Sequence, residues 1–467
     1  MKKDKEELLE SEEQLQVEET AEEPQQPEDT EEKEKADERN GQEHHHHHHS
    51  HHSHHHKHRH SKKRSSGGLS VRKIKKFFKK HKKIFIPVGV MLGVALIMVG
   101  LLGVVELISG SKTDGELTQV QGTDGIVIMA TPVFTEEISL VNSAVDTILE
   151  NQDYDAPAHT ILENYLETSA RLDIGLPVKL NFHISNKPAD YTLEKYRVEV
   201  ADNPQFENPW EYTVDAGAQS LELFNLKTGT QYHFRIHAHF TNGVVSTSGS
   251  TFRTKASPRI LNVAGVYNAR DIGGWKTADG KTVQQGLLYR GTELDGAEVS
   301  QYTLTEEGRT DLLERLGVRT EMDLRWEALK PGSKPVLGEN VNYCYYSIAM
   351  YTDIFVSENQ EEVRQVFSDL AKPELYPVYM HCTYGRDRTG TICCLLEALL
   401  GVSEEDLWRD YQLSALDEKY LDSSFGRLIS QLKGQPGDTL SEKAENYLLS
   451  LGVTAAEIAS IREIYLG

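Results

Sequence analysis

Cysteine is scarce, with four in 467 residues: Cys344, Cys382, Cys393 and Cys394. Their number and spacing suit neither a disulfide framework nor a zinc site, and the adjacent Cys393 and Cys394 in an apolar helical run read as core residues. A long basic surface is also missing from the part of the chain that can fold. Residues 1–43 hold 18 acids and 6 bases, residues 57–83 hold 13 bases and no acid, and the net charge of -22 therefore leaves -23 from Ile84 onward. Nucleic acid is excluded as a partner on that balance, so an anionic substrate has to be drawn in by a local site. Aromatic and branched apolar side chains are almost absent from residues 1–43. Such a segment buries too little surface to offset the entropy of ordering, and residues 1–83 read as a disordered tail, first acidic, then His-rich, then basic.

Charge is lacking altogether from Ile84 to Val105, a run of 22 residues. At about 1.5 Å per residue a helix here spans roughly 33 Å, enough for one bilayer crossing. Eight Lys and Arg lie between Val71 and Lys83, against Lys112 alone between Ser109 and Thr123. The positive-inside rule then predicts a cytoplasmic N-terminus and a chain outside the membrane after Glu106. Gly89 and Gly93 are spaced for close packing of two such helices. The tract His44 to His60 contains 13 histidines and reads either as a solvated linker or as a ligand for zinc, nickel or copper.

Residues 106–171 read as a linker and a segment without an assignment, since Leu140 to Leu149 fits helix or strand and Asp153-Tyr154-Asp155-Ala156-Pro157 breaks it. From 172 to 256 short alternating runs such as Val178–Phe182, Tyr196–Val200 and Tyr232–His237 are separated by turns, the pattern of a β-sandwich. Leu226-Lys227-Thr228-Gly229-Thr230-Gln231-Tyr232 resembles the tyrosine corner of a fibronectin type III module, with Thr228 where that family often has Pro. Period 2 puts His233, His237 and His239 on one strand face, either a metal patch or a packed or solvated surface.

Residues 257–467 alternate strand-like and helical runs, the signature of an α/β domain with a largely parallel sheet flanked by helices. Strand-like Leu287-Leu288-Tyr289, Thr320–Leu324, Tyr343–Ile348 and Val378–Met380 alternate with helical Thr305–Leu316, Glu361–Leu370 and Thr391–Leu400; Ser403–Leu413 and Leu440–Leu449 are expected to cover the sheet. Whole-chain architecture is therefore multidomain: tail, one transmembrane helix, all-β sandwich and α/β domain.

The richest stretch is His381-Cys382-Thr383-Tyr384-Gly385-Arg386-Asp387-Arg388-Thr389-Gly390, on a strand–loop–helix junction. A loop ending on a helix N-terminus presents backbone amides to an anion, and the helix dipole adds roughly half a positive charge there. The same field favours a thiolate at Cys382, a nucleophile for phosphorus. Arg388 supplies a planar fork for two phosphoryl oxygens, which Lys cannot reproduce, and Gly385 lets the loop wrap tightly.

The string resembles the phosphate loop of the cysteine-dependent protein tyrosine phosphatase superfamily. It is most similar to the bacterial tyrosine/lipid phosphatase branch, in which Lys usually stands at the place of Arg386. Asn268-Ala269-Arg270-Asp271-Ile272-Gly273-Gly274 and Gly286-Leu287-Leu288-Tyr289-Arg290-Gly291 resemble segments of the same branch, making Asn268, Arg270 and Asp271 supporting residues. The resemblance implies two-step covalent catalysis through a cysteinyl-phosphate. Cys382 attacks, while Arg388 and the amides of Thr383, Tyr384, Gly385, Arg386 and Thr389 hold the phosphoryl oxygens. Thr389 could also donate its hydroxyl to the thiolate. His381 positions the loop, tunes the thiolate, or simply packs. The Trp-Pro-Asp segment that supplies the acid in many tyrosine phosphatases is missing, so Asp387 is the first candidate for general acid, ahead of Asp353 and Asp271. No metal and no cofactor is called for. Expected substrates are phosphotyrosine, with dual specificity open, or a phosphoinositide or inositol phosphate, to which the charge of Arg386 points. A surface binding protein with a vestigial phosphatase domain is the remaining alternative.

Overall fold

A computed structural model describes residues 118–121, 126–131, 136–326, 328, 333–418, 421 and 424–467. The acidic, histidine-rich and basic tail (1–83), the apolar run 84–105 and its basic flank lie outside the described residues. Among the described residues no helix is long and apolar enough to cross a membrane.

Two four-stranded sheets form the N-terminal layer pair. One has the order β1 (Thr118–Gln121), β2 (Val127–Thr131), β3 (Val178–Ile184), β6 (Ser220–Leu223). The other has the order β5 (Trp210–Asp215), β4 (Leu193–Ala201), β7 (Gln231–Phe240), β8 (Val245–Arg253). Alternation sets the inner faces: Val178, Leu180 and Phe182 of β3 meet Tyr196, Val198 and Val200 of β4 and Phe234 and Ile236 of β7 in one core. The Tyr232 hydroxyl accepts from Lys227 N–H at 2.8 Å, five residues upstream, and pins the turn before β7. On the outer face His237 and His239 have ring centroids 6.5 Å apart, and His237 Nε2 lies 3.2 Å from Glu199.

The segment 106–171, expected as a linker and a stretch without an assignment, supplies β1 and β2, which extend the β3 sheet. It also forms α1 (Ser143–Glu150), capped by Asn142, whose side chain accepts from the amides of Ala144 and Val145. β2 reads VIMAT, an apolar run without the alternation by which the later strands are recognised.

From Ser257 on, a five-stranded sheet has the order β12 (Asn342–Tyr345), β11 (Thr320–Asp323), β13 (Val378–His381), β10 (Leu288–Gly291), β9 (Arg270–Asp271). The first four run parallel, and the two-residue β9 is antiparallel to β10, so the sheet is mixed. Its two faces follow the pleat. Leu288, Met322, Val378 and Met380 face a core made with α3 (Gln360–Leu370), α4 (Asp387–Leu400), α5 (Glu404–Gln412), α6 (Ser424–Lys433), α7 (Leu440–Leu451) and α8 (Ala455–Leu466). Tyr289 and Tyr379 face the opposite way, toward Leu312 and Leu316. The expected helix 305–316 forms as α2 (Glu306–Thr310) followed by a π turn (Asp311–Arg315). α4 is buried on all sides from Arg388 to Leu400, Glu397 included.

Sandwich and sheet domain are joined by buried polar contacts. Arg259 donates from Nη1 to Asp271 at 3.0 Å and from its other nitrogens to the carbonyls of Asn225 and Leu226. Asn225 and Asn262 exchange two hydrogen bonds, of 2.9 and 2.7 Å.

Candidate active site

Gly291, Asp323 and His381 end three neighbouring parallel strands in register. A site at the carboxyl ends of such strands is the rule for open α/β sheets, and Cys382 is the next residue, 1% exposed.

The carbonyls that follow are all held by their surroundings. Thr383 O accepts from Glu293 N–H at 2.9 Å, Tyr384 O from Asn268 Nδ2 at 3.1 Å, and Gly385 O from Arg290 Nη2 at 2.8 Å. Arg386 O accepts from Gly390 N–H at 2.8 Å and from Arg290 Nη2 at 3.4 Å. In a trans peptide the N–H points opposite to the preceding C=O. The amides of Tyr384, Gly385, Arg386 and Asp387 are thereby turned away from those partners, and together with the α4 N-terminus they make an anion nest. Gly385 has φ +62°, and a Cβ there would stand 2.2 Å from Gly291 O.

Behind the loop a buried carboxylate holds two arginines. Asp410 of α5 lies 2.9 Å from Arg270 Nε and 2.6 Å from Arg290 Nη1. Burial pushes the Asp410 carboxyl up, but Arg270 and Arg290 outweigh it and hold the group below the ordinary carboxylate range. Arg290 also interacts electrostatically with Cys382. Asn268, at φ +52°, accepts from Arg270 Nη1 as it donates to Tyr384 O.

His381 Nδ1 lies 3.3 Å from Cys382 O and Nε2 lies 3.5 Å from Glu321. Burial works against the imidazolium, but Asp323 and Glu321 outweigh it and raise its value above that of ordinary histidine. Arg388 is buried with its guanidinium 4.1 Å above the Trp326 ring. Among the described residues its Nε, Thr383 Oγ1 and Thr389 Oγ1 are buried without a hydrogen-bond partner, donors placed around the nest where an oxyanion could take them up.

Asp387 opens α4. Its carboxylate accepts from Arg386 Nε at 3.0 and 3.2 Å and from the Tyr351 hydroxyl, which also lies 2.7 Å from Tyr411 Oη. Tyr351 is held at φ +52° by its N–H to Thr391 Oγ1 at 2.8 Å. The other two acid candidates lie apart from the nest's hydrogen bonds. Asp271 is buried in the turn, accepting from Gly273 N–H, Gly286 N–H and Arg259, and Asp353 is exposed on the turn Tyr351–Phe355. Half-buried Tyr384 and Arg386 flank the mouth. Sequence reasoning missed Trp326, Tyr351 and Asp410. The Glu293–Asp323–Arg325 cluster under His381 was missed as well. Among the described residues no group of three His, Cys, Asp or Glu is placed to hold a metal.

A cysteine at a strand end, amides turned into a nest and an arginine from the following helix define a cysteine-dependent phosphatase site. Residues 261–467 match the model of the tyrosine phosphatase family. A tyrosine-protein phosphatase of Nostoc commune is 27% identical, the match covering 34% of this chain and 69% of the relative. A protein named as a tyrosine-protein phosphatase in Cupriavidus necator is 26% identical over 31% of this chain and 59% of its own length, less than two thirds of that relative. Among solved structures, the core catalytic domain of the PP-IP phosphatase Siw14 from S. cerevisiae matches 32% of this chain and 90% of its own, at 17% identity and TM-score 0.21. The C-terminal region carries a tyrosine phosphatase-type hydrolase domain of the cysteine-dependent superfamily.

Proposed function

We propose that the chain is a membrane-anchored phosphatase that hydrolyses phosphotyrosine through a cysteinyl-phosphate. Cys382 attacks phosphorus and the P–O bond to the leaving group breaks. Asp387, when protonated, gives its proton to the departing oxygen. Water, deprotonated by the same carboxylate, then cleaves the S–P bond and releases phosphate. The nest and Arg388 stabilise the equatorial oxygens through both steps. The observation that carries this reading is the capture of the Thr383, Tyr384, Gly385 and Arg386 carbonyls by the scaffold, which leaves the loop amides for the anion.

Anchoring rests on the uncharged run 84–105, and its basic flank favours a cytoplasmic N-terminus with the catalytic domain outside. The paired four-stranded sheets and the Tyr232–Lys227 bond support a fibronectin type III-like module. Phosphoinositides are the second substrate reading, because Arg386 adds a cation at the mouth; its pairing with Asp387 at 3.0 Å reduces that charge and favours phosphotyrosine. The test is turnover by the full chain in detergent micelles. It should release phosphate from p-nitrophenyl phosphate and prefer a phosphotyrosine peptide to a phosphoinositide. A reversed preference would replace the substrate class, and no release from any of the three would reject the enzyme. Protease protection of the catalytic domain in intact cells would refute the orientation.

A further inference from the structure

Between β2, ending at Thr131, and β3, beginning at Val178, the chain leaves the sandwich and crosses the phosphatase domain before it returns. Ala144, Val145 and Ile148 of α1, with Ala158 and Leu162, are buried in the same core as α4 and α5. The carbonyls of Asn151, Tyr154 and Ala156 accept from Arg409 and Gln412 at 3.4, 2.5 and 3.1 Å. Those donors flank Asp410, the residue that holds Arg270 and Arg290 behind the loop.

At its other end this strap reaches the opposite support. Arg171 grips Asp173 with two hydrogen bonds, of 3.0 and 2.7 Å, donates to Val266 O at 2.9 Å and lies 3.8 Å above the Tyr267 ring. Asp173, 3% exposed in its side chain, accepts the N–H of Asn268 at 2.8 Å. Asn268 sits in the left-handed region at φ +52°, which asparagine tolerates better than most residues with a Cβ, and the Asp173 bond fixes its N–H there. From there its side chain donates to Tyr384 O, one of the four carbonyls whose capture turns the loop amides inward.

We propose that Asp173, clamped by Arg171, is a positioning residue of the phosphatase, and that the strap makes the sandwich part of the catalytic apparatus and not a separable module. The inference rests on the phosphatase reading. Without the Asp173 acceptor Asn268 loses its N–H partner, Tyr384 O loses its fixed donor, and the amides of the nest no longer converge on one point. The effect is on the geometry of oxyanion binding, where a displacement of about 1 Å costs up to about 100-fold in rate.

The test uses the full chain in micelles with Asp173→Ala, Asp173→Asn and Arg171→Gln, and with Arg197→Gln on the outer sandwich face as control. Asp173→Ala should lower kcat on p-nitrophenyl phosphate by about 10- to 100-fold and weaken orthovanadate binding by a similar factor, with KM changed little. Asp173→Asn, which keeps an acceptor for Asn268 but loses the clamp, should fall between Asp173→Ala and wild type. If Asp173→Ala does not fold, Asp173→Asn and Arg171→Gln carry the same readout. Were the contact only structural, the thermal midpoint would drop while kcat per folded molecule and the vanadate Kd stayed at wild-type values, and that result overturns the proposal. If the wild-type chain turns nothing over, the phosphatase reading falls, but the vanadate titration still decides whether Asp173 sets the nest.

Discussion

Gly385→Ala tests the geometry of the nest with one added methyl group. The Cβ would lie 2.2 Å from Gly291 O, whereas real Cβ contacts rarely fall below 3.0–3.4 Å, so the two backbones must part by about 1 Å. Neither side yields easily. Gly291 is in β10, paired with β13 in register, and is itself backed by the Tyr379 hydroxyl. Gly385 O is held by Arg290. The left-handed φ of +62° adds about 1–2 kcal/mol for a residue with a Cβ. A shift of about 1 Å in groups that bind a transition state costs about 100-fold in rate, or about 2.7 kcal/mol. We predict that Gly385→Ala folds, melts earlier, and loses roughly that factor in kcat on p-nitrophenyl phosphate together with a comparable loss of orthovanadate affinity. Wild-type kcat and wild-type vanadate binding in a variant shown to carry the substitution would refute the idea that the loop amides form the oxyanion site.

Other expectations follow from the same contacts. Asp387→Asn should slow alkyl phosphates by about 100-fold or more and p-nitrophenyl phosphate far less, since general acid catalysis contributes about 10²–10⁴ where the leaving group is poor. Tyr351→Phe, which removes one hydroxyl donor from Asp387, should give a smaller loss of the same selectivity and shift the pH profile; equal losses on both substrates would reject the acid assignment. Burial first, and Asp369 second, push the Cys344 thiol up to about 12, burial pushes Cys393 up to about 12, and burial also raises Cys394 well above the ordinary thiol value. Iodoacetamide at neutral pH should therefore label Cys382 in the native chain, and comparable labelling of Cys344 would contradict this. Asp410→Asn leaves Arg270 and Arg290 buried without their counter-charge, a loss of roughly 3–5 kcal/mol at pH 7. The folded Asp410 carboxyl is depressed, so its stabilisation is fully present above the unfolded value of about 3.9 and disappears as pH falls through the folded one. The gap between wild type and Asp410→Asn in urea should close at acid pH, and a gap that widened there would be the wrong sign.

The catalytic loop was legible because its chemistry is local. Cys382, Gly385 and Arg388 lie within one strand–loop–helix unit, and the apolar runs of β13 and α4 mark both ends of it. Ser403 was readable as the start of α5 for the same reason, its side chain accepting from Asp406 N–H three residues on. What holds the loop is not local. Arg270 meets Asp410 across 140 positions and Asp173 meets Asn268 across 95, and no period or spacing in one sequence reports such pairs. Asn268 and Arg270 were reached only through family likeness, which named them without giving them partners. Trp326 escaped because nothing near it in sequence points to Arg388. α1 was ambiguous between helix and strand because a run this short does not separate the two periods, and the Asn142 cap that settles it is a single side chain. The run 84–105 is plain in sequence and lies outside the described residues.

The central claim is that Cys382 carries the phosphoryl group between the two chemical steps. Rapid acid quench of the full chain during turnover of a phosphotyrosine peptide, followed by mass spectrometry of its peptides, should find phosphate on Cys382, and Cys382→Ser should bind orthovanadate yet release no phosphate. Phosphate trapped on another residue, or sustained turnover by Cys382→Ser, would contradict it.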